Sequence, residues 1–212
     1  MTSRTTLLET IRIRGGTAPL WGLHLARLYR SCKELGVVPP MSLEVPSGGR
    51  DRVRRLAVSA QGVDVSERGV GSTEPVNLVT STTVHPRYPH KTTQRAAFDE
   101  AIAAARRIGA DDALLLAEGG WVAEGGIWSL FWWEGGAPVT PPLDLGVLPG
   151  VARARIAALA PLRERRVPRR ALAGRPLFVA NAARGIVPVA HLDGEPVPRE
   201  PATDVLAAGF WG

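Results

Sequence analysis

His90-Lys91-Thr92-Thr93-Gln94-Arg95 sets a lysine just ahead of a helical stretch, and what that lysine does decides how the rest of the chain is read. Of 26 Lys+Arg residues only Lys33 and Lys91 are lysines, so a sequence that otherwise chooses arginine has kept two ammonium groups. Arginine stays protonated in a protein and cannot form an imine, whereas a desolvated lysine loses its proton and attacks carbonyls. Lys33 falls on the polar face of a helix and is expected in solvent. Lys91 is the candidate nucleophile.

With 212 residues and 45% hydrophobic content the chain can bury a real core. No apolar run reaches the roughly 18 residues of a membrane span. The opening Met1-Thr2-Ser3-Arg4-Thr5-Thr6 leads into a strand-like pattern instead of a signal-peptide block, which predicts a cytoplasmic protein with no membrane partner. The lone Cys32 agrees with a reducing compartment. A net charge of +6 raises the question of nucleic acid. The densest basic run, Arg163 to Arg170, holds no aromatic residue for base stacking and matches no nucleic-acid module, so no nucleic-acid partner is expected.

Period-two alternation predicts a strand over Leu7 to Ile13, turned by Gly15-Gly16 into a returning strand over Ala18 to Trp21. Leu25, Leu28, Cys32 and Leu35 predict a helix over His24 to Leu35 that stops at Gly36 and has His24 and Arg27 in its first turn. Arg54 to Ala60 reads as a strand and Ser66 to Pro75 as a linker. Beyond it come strands over Val76 to Val84 and Asp112 to Ala117, with a helix over Ala96 to Ile108 between them. Strands follow over Trp121 to Glu124, Trp128 to Trp133 and Ala137 to Thr140, then a helix from Gly150 to about Leu162. Leu177 to Ala180 and Val187 to Leu192 are the last strands. The mixture predicts an α+β fold, with a small N-terminal domain over 1–70 and a larger cofactor-binding domain over 71–212.

Three features ask for one explanation: the rare lysine, the carboxylate Glu124 in a Glu-Gly-Gly turn after a strand, and Leu148-Pro149-Gly150-Val151 opening a helix. A lysine gives a covalent link to a carbonyl, and a helix N-terminus offers unpaired N–H groups to a phosphate. A carboxylate on a pyridine nitrogen keeps the ring electron-poor. That combination is the logic of pyridoxal 5'-phosphate, with no metal in the scheme.

A series of short motifs then runs in order along the chain. They are Leu8-Glu9-Thr10-Ile11-Arg12, His24-Leu25-Ala26-Arg27-Leu28, His90-Lys91-Thr92-Thr93, Gly109-Ala110-Asp111-Asp112-Ala113-Leu114 and Val122-Ala123-Glu124-Gly125. Leu130-Phe131, Thr140-Pro141-Pro142, Leu148-Pro149-Gly150-Val151 and Asn181-Ala182-Ala183-Arg184-Gly185-Ile186-Val187-Pro188-Val189 complete it. In these the chain resembles the class IV aminotransferases, the fold-type-IV pyridoxal phosphate enzymes, and among them the 4-amino-4-deoxychorismate lyases. The resemblance implies the two-domain fold of D-amino acid aminotransferases, whose larger domain is built on a barrel-like mixed and antiparallel sheet. It implies Lys91 as the catalytic, cofactor-linked lysine and Glu124 as partner of the pyridine nitrogen. Arg27 and the backbone of Gly150, Val151 and Ala152 would hold the phosphate, and Asn181, Ala182 and Ala183 would close over the ring. Arg95, Trp128 and Arg184 are candidates for substrate contact, and a homodimer is expected.

The chain departs from the family pattern in places. It begins almost at Leu8-Glu9-Thr10, where the family has a further strand and a Gly-Asp-Gly stretch, so one wall of the small domain is expected to be missing. Gly126-Ile127-Trp128-Ser129 replaces a polar stretch, and Ala152 with Ala182 or Ala183 stands where hydroxyls are common, which predicts weaker hold on the phosphate. Arg95 after Lys91, the His-Lys-Thr-Thr form and Arg184-Gly185 lie on the lyase side: aminodeoxychorismate to 4-aminobenzoate and pyruvate, a step of folate synthesis. A class IV aminotransferase acting on branched-chain or D-amino acids is the alternative, and a degenerate cofactor binder with little catalysis is the second.

Overall fold

The computed structural model describes residues 5–212, so the opening Met1 to Arg4, read above as leading into a strand, lies outside the described residues. The fold is α+β and has two sheets, one of three strands and one of nine. The small sheet has the order β1 (Leu7–Ile13), β2 (Arg52–Ser59), β3 (Gly62–Arg68), antiparallel throughout. Helix α1 (Trp21–Leu35) lies against β1 and ends at Gly36, whose φ of 64° puts it in the left-handed region while its N–H caps the Cys32 carbonyl.

The predicted Gly15-Gly16 hairpin does not form. Only a single bridge joins Arg14 to Thr17, Ala18 to Leu20 lead directly into α1, and β1 takes its long-range partner β2 instead. A helix that begins at Trp21 also moves His24 and Arg27 beyond the first residues where they were expected. Its buried face differs as well: His24, Arg27, Leu28, Ser31 and Cys32 are buried, while Leu25 is only partly so. His24 and Arg27 are buried there because they meet Glu9, a buried acid on β1, and Ser31 because it meets His90, tertiary facts that apolar periodicity does not carry. The linker is shorter than predicted, since Ser66 to Arg68 complete β3, an exposed edge strand held by its ladder to β2.

The larger sheet follows the order β6-β5-β4-β11-β10-β7-β8-β9, with the short β12 (Glu195–Pro196) beside β11. Its members are β4 (Val76–Val84), β5 (Asp112–Ala117), β6 (Trp121–Gly125), β7 (Ser129–Glu134), β8 (Ala137–Thr140), β9 (Arg163–Glu164), β10 (Leu177–Asn181) and β11 (Gly185–Leu192). Helix α2 (Ala96–Arg107) crosses between the parallel pair β4 and β5, whereas β10 and β11 are antiparallel. The last long strands in the chain thus sit centrally, and β11 runs parallel to β4.

Alternation sorts the strand side chains to two faces. Leu130, Trp132, Leu177 and Val179 pack into one cluster with Trp128 and Val187. Phe131, Phe178 and Ala180 point the other way, against α3 (Val151–Leu159) and α4 (Pro201–Ala208), a helix the sequence reading omitted. Pro201 opens α4 and the Glu200 side chain accepts the Ala202 N–H, an N-terminal signal that was available but short. The run Arg163 to Arg170 is threaded with ion pairs: Arg166 meets Asp144 at 2.8 Å, Arg169 meets Asp193 at 2.5 Å, and Arg165 pairs with Glu134. Phe131 and Phe178 stack with centroids 4.9 Å apart and both rings fully buried. Phe178→Ala is expected to cost about 3–5 kcal/mol, read as a lower urea midpoint at unchanged slope.

Candidate active site

A cavity of about 430 Å³ opens where the small sheet meets the large one, and every sequence-predicted site residue lines it. Lys91 reaches it from the loop between β4 and α2. The loop is fixed to β1, since Leu8 N–H donates to the Lys91 carbonyl at 2.8 Å and Thr93 N–H to the Thr6 carbonyl at 3.1 Å. The Tyr88 hydroxyl clamps it from within, accepting from Thr92 N–H at 2.6 Å and donating to the Thr92 carbonyl. Burial, then repulsion from Arg27, brings the Lys91 amine down to about 8.

Arg27 arrives from α1 and is held by a residue given no role in the sequence reading. Glu9 on β1 accepts from Arg27 Nε at 2.9 Å and Nη2 at 2.5 Å, and lies 2.6 Å from His24 Nδ1. All three side chains are buried. Burial raises the Glu9 carboxyl, but Arg27 and His24 together outweigh it and set it at about 2. Burial lowers His24 more than Glu9 raises it, so the ring is neutral and its Nδ1–H donates to Glu9. Two of the Arg27 nitrogens are thereby committed, and the guanidinium is aimed with its remaining edge available to the cavity it lines.

Glu124 lies near the end of β6. Its Oε1 lies 2.8 Å from His85 Nε2 and accepts Leu148 N–H at 3.0 Å. Because Arg87 N–H donates to His85 Nδ1 at 3.2 Å, the ring proton is on Nε2 and is donated to Glu124. Among the described residues both bonds fall on Oε1, which leaves Oε2 for a ligand. The turn that follows is held by Asp112: Oδ2 accepts Ile127 N–H at 3.0 Å, and a Cβ on Gly126 would come within 2.5 Å of Oδ1. Burial raises this carboxyl to about 6. Neither His85 nor Asp112 was singled out by sequence, since each acts through another residue.

The N-terminus of α3 lines the cavity through Gly150, Val151 and Ala152, with no side-chain cap on its free N–H groups. A Cβ on Gly150 would sit 3.0 Å from Ser129 Oγ, so a hydroxyl lies beside this N-terminus although the alanines noted above bring none. Asn181 folds the β10–β11 turn by accepting the N–H groups of Ala183 at 3.0 Å and Arg184 at 2.9 Å. Ala182 and Ala183 stand on that turn at the cavity surface. Arg95 donates to Asp99 at 2.7 Å and to the Gly126 carbonyl at 3.1 Å, bracing the Lys91 loop against the turn after Glu124. Trp128 is buried beneath Arg184, whose guanidinium carbon is 5.2 Å from the ring centroid. His90 bonds Ser31 at 3.1 Å, and Lys33 is exposed as expected.

The donor set fits a pyridine bearing a carbonyl and a phosphate: an amine poised to lose its proton, a carboxylate oxygen left unclaimed, and a helix N-terminus with a cation beside it. Two outcomes follow. Borohydride trapping of pyridoxal on Lys91 should rise with pH to half-maximum near 8, about where the Lys91 amine loses its proton, and not near the 10.5 of an ordinary lysine. Glu9 contributes stability above its unfolded value of 4.5, and that contribution is lost as pH falls toward 2. Glu9→Gln should therefore lower stability at pH 7 by about 3–5 kcal/mol and flatten the acid limb of a melting-temperature profile.

A family model described as amino-transferase class IV matches residues 64–192. The chain is similar to a solved Mesorhizobium loti protein assigned as an amino-acid aminotransferase, at 29% identity over 88% of this chain and 99% of that one, with a TM-score of 0.80. A Legionella pneumophila protein assigned as a 4-amino-4-deoxychorismate lyase is 23% identical, covers 95% of this chain with 88% of its own, and superposes at 0.82. The branched-chain aminotransferase of the archaeon Thermoproteus uzoniensis, solved with norvaline, is 24% identical over 97% of this chain and 84% of its own, at 0.84. No curated protein sequence matches the chain. With the family model spanning more than half its length, the chain belongs to the class IV aminotransferases, a family of pyridoxal phosphate-dependent enzymes.

Proposed function

We propose that this protein is a pyridoxal phosphate-dependent lyase that converts aminodeoxychorismate to 4-aminobenzoate and pyruvate, a step of folate synthesis. One observation supports the reading above others: Lys91, with its amine near 8, shares a cavity with the unclaimed oxygen of Glu124 and the open N-terminus of α3. When bound, the cofactor supplies a carbonyl carbon and a conjugated electron sink. Lys91 is the residue that would hold it covalently, and its amine, when free, would be the base that takes the ring proton of the substrate. Glu124, oriented by His85 and Leu148 N–H, would keep the pyridine nitrogen protonated. Arg27, fixed by Glu9, and the N–H groups of Val151 and Ala152 would hold the phosphate. Departure of pyruvate leaves an aromatic ring, which drives the reaction forward.

The Lys91-Thr92-Thr93-Gln94-Arg95 run favours this reading, with Arg95 bracing the lysine loop against the turn after Glu124. Transamination of branched-chain or D-amino acids uses the same cavity and the same lysine, and is the second reading. The purified protein should be yellow, and borohydride should fix the colour on Lys91. Incubated with aminodeoxychorismate it should release pyruvate and 4-aminobenzoate in equal amounts, and Lys91→Ala should lower the rate about a hundredfold or more. Keto-acid formation from an amino-acid panel without pyruvate release from aminodeoxychorismate would move the assignment to the transaminase.

A further inference from the structure

Besides Lys91 and the exposed Arg55, one charged group on the cavity wall has no hydrogen-bond or ion-pair partner among the described residues. Arg184 follows the Asn181 turn, and among the described residues its guanidinium makes no hydrogen bond and no ion pair. It is half-buried all the same. Its contacts are the Trp128 ring, at 5.2 Å from the centroid, and Gly71, where an added Cβ would lie 2.5 Å from Nε and 2.9 Å from Nη2. The glycine lets the backbone between the two sheets press against the guanidinium, while Asn181 Oδ1 fixes the Arg184 backbone from below. The side chain is thus positioned with no carboxylate in ion-pair contact, Asp112 and Asp111 acting on it only from longer range.

Arg68, at the end of β3, lines the same cavity and, among the described residues, donates only to the neighbouring Gly69 carbonyl, at 3.1 Å. The carboxylates that line the cavity are engaged elsewhere, Asp99 by Arg95 and Glu124 by His85. Two guanidinium groups on one wall repel each other, and partial burial makes a lone cation costlier still. A fold that holds Arg184 in this way presents an anion site, and its planar fork matches a carboxylate.

We propose that Arg184, assisted by Arg68, binds a carboxylate of the substrate remote from its reacting amine. The enzyme would then select amines with an acid at the far end over amines with an apolar side chain. This deepens the reading above and rests on the amine reacting at Lys91. Of the two reactions considered, it favours the one whose substrate carries carboxylates on and beside its ring over one whose substrate ends in a branched alkyl group.

The test compares 4-aminobenzoate with its neutral isostere 4-aminobenzamide, by calorimetry on protein with and without added pyridoxal phosphate. Wild type should bind the carboxylate roughly ten- to a hundredfold more tightly, the range of a charge-assisted hydrogen bond or two. Arg184→Gln should erase the preference and Arg184→Lys should keep part of it. Arg68→Gln, at an exposed position where folding is not at stake, should reduce it severalfold. No preference in wild type, or an undiminished preference in Arg184→Gln with unchanged melting temperature, overturns the proposal. A protein that takes up no cofactor yet loses the preference in Arg184→Gln keeps the carboxylate site and sinks the lyase reading instead.

Discussion

A carboxylate buried as completely as Glu9 has to be matched by a cation, and the way Arg27 and His24 match it organises the small sheet around the cavity. The triad joins β1 to α1 beside the apolar contact of Leu7 with Leu28 and Cys32. It also orients the arginine. With Nε and Nη2 spent on Glu9, the guanidinium cannot rotate to meet a ligand in several ways, so its remaining edge is presented in one. The same network puts positive charge near Lys91, which together with burial lowers the amine to about 8.

Two connections tie the sides of the cavity together, one through backbone and one through a side chain. One is the pairing of the Lys91 loop with β1, which brings a lysine from between β4 and α2 onto the edge of the small sheet. The other is Arg95, which links that loop to the carbonyl of Gly126 just beyond Glu124. Amine and carboxylate thereby share one frame although thirty-three residues separate them. Around them, His85 and Asp112 act only through others, one fixing a carboxylate oxygen and the other a turn. Such residues touch no ligand, so their chemistry leaves no local mark in the sequence.

Element type was legible wherever a period was clean. The strand over Asp112 to Ala117 and the helix after Arg95 lie where alternation and three-four spacing place them. Gly15-Gly16 misled because a two-glycine turn speaks for a hairpin, yet Pro19 and the start of α1 leave no room for a return strand, and β2 offers β1 a ladder of seven pairs. The polar stripe on α1 misled for a different reason. Burial there is decided by Glu9, and no helical period in the chain announces a buried acid on another element.

By itself the sequence determined the α+β class, the main strands and helices from Val76 to Leu192, and the small set of residues that chemistry requires: an uncommon lysine, a carboxylate after a strand, and a glycine before a helix. Those follow from residue type and short-range spacing. Only the tertiary structure decided that Arg27 is aimed by Glu9, that among the described residues Glu124 keeps one oxygen free, and that Arg95 is consumed as a brace while the Arg184 guanidinium finds no hydrogen bond or ion pair among them. Each of these depends on which groups lose water together, and that is settled where distant segments meet.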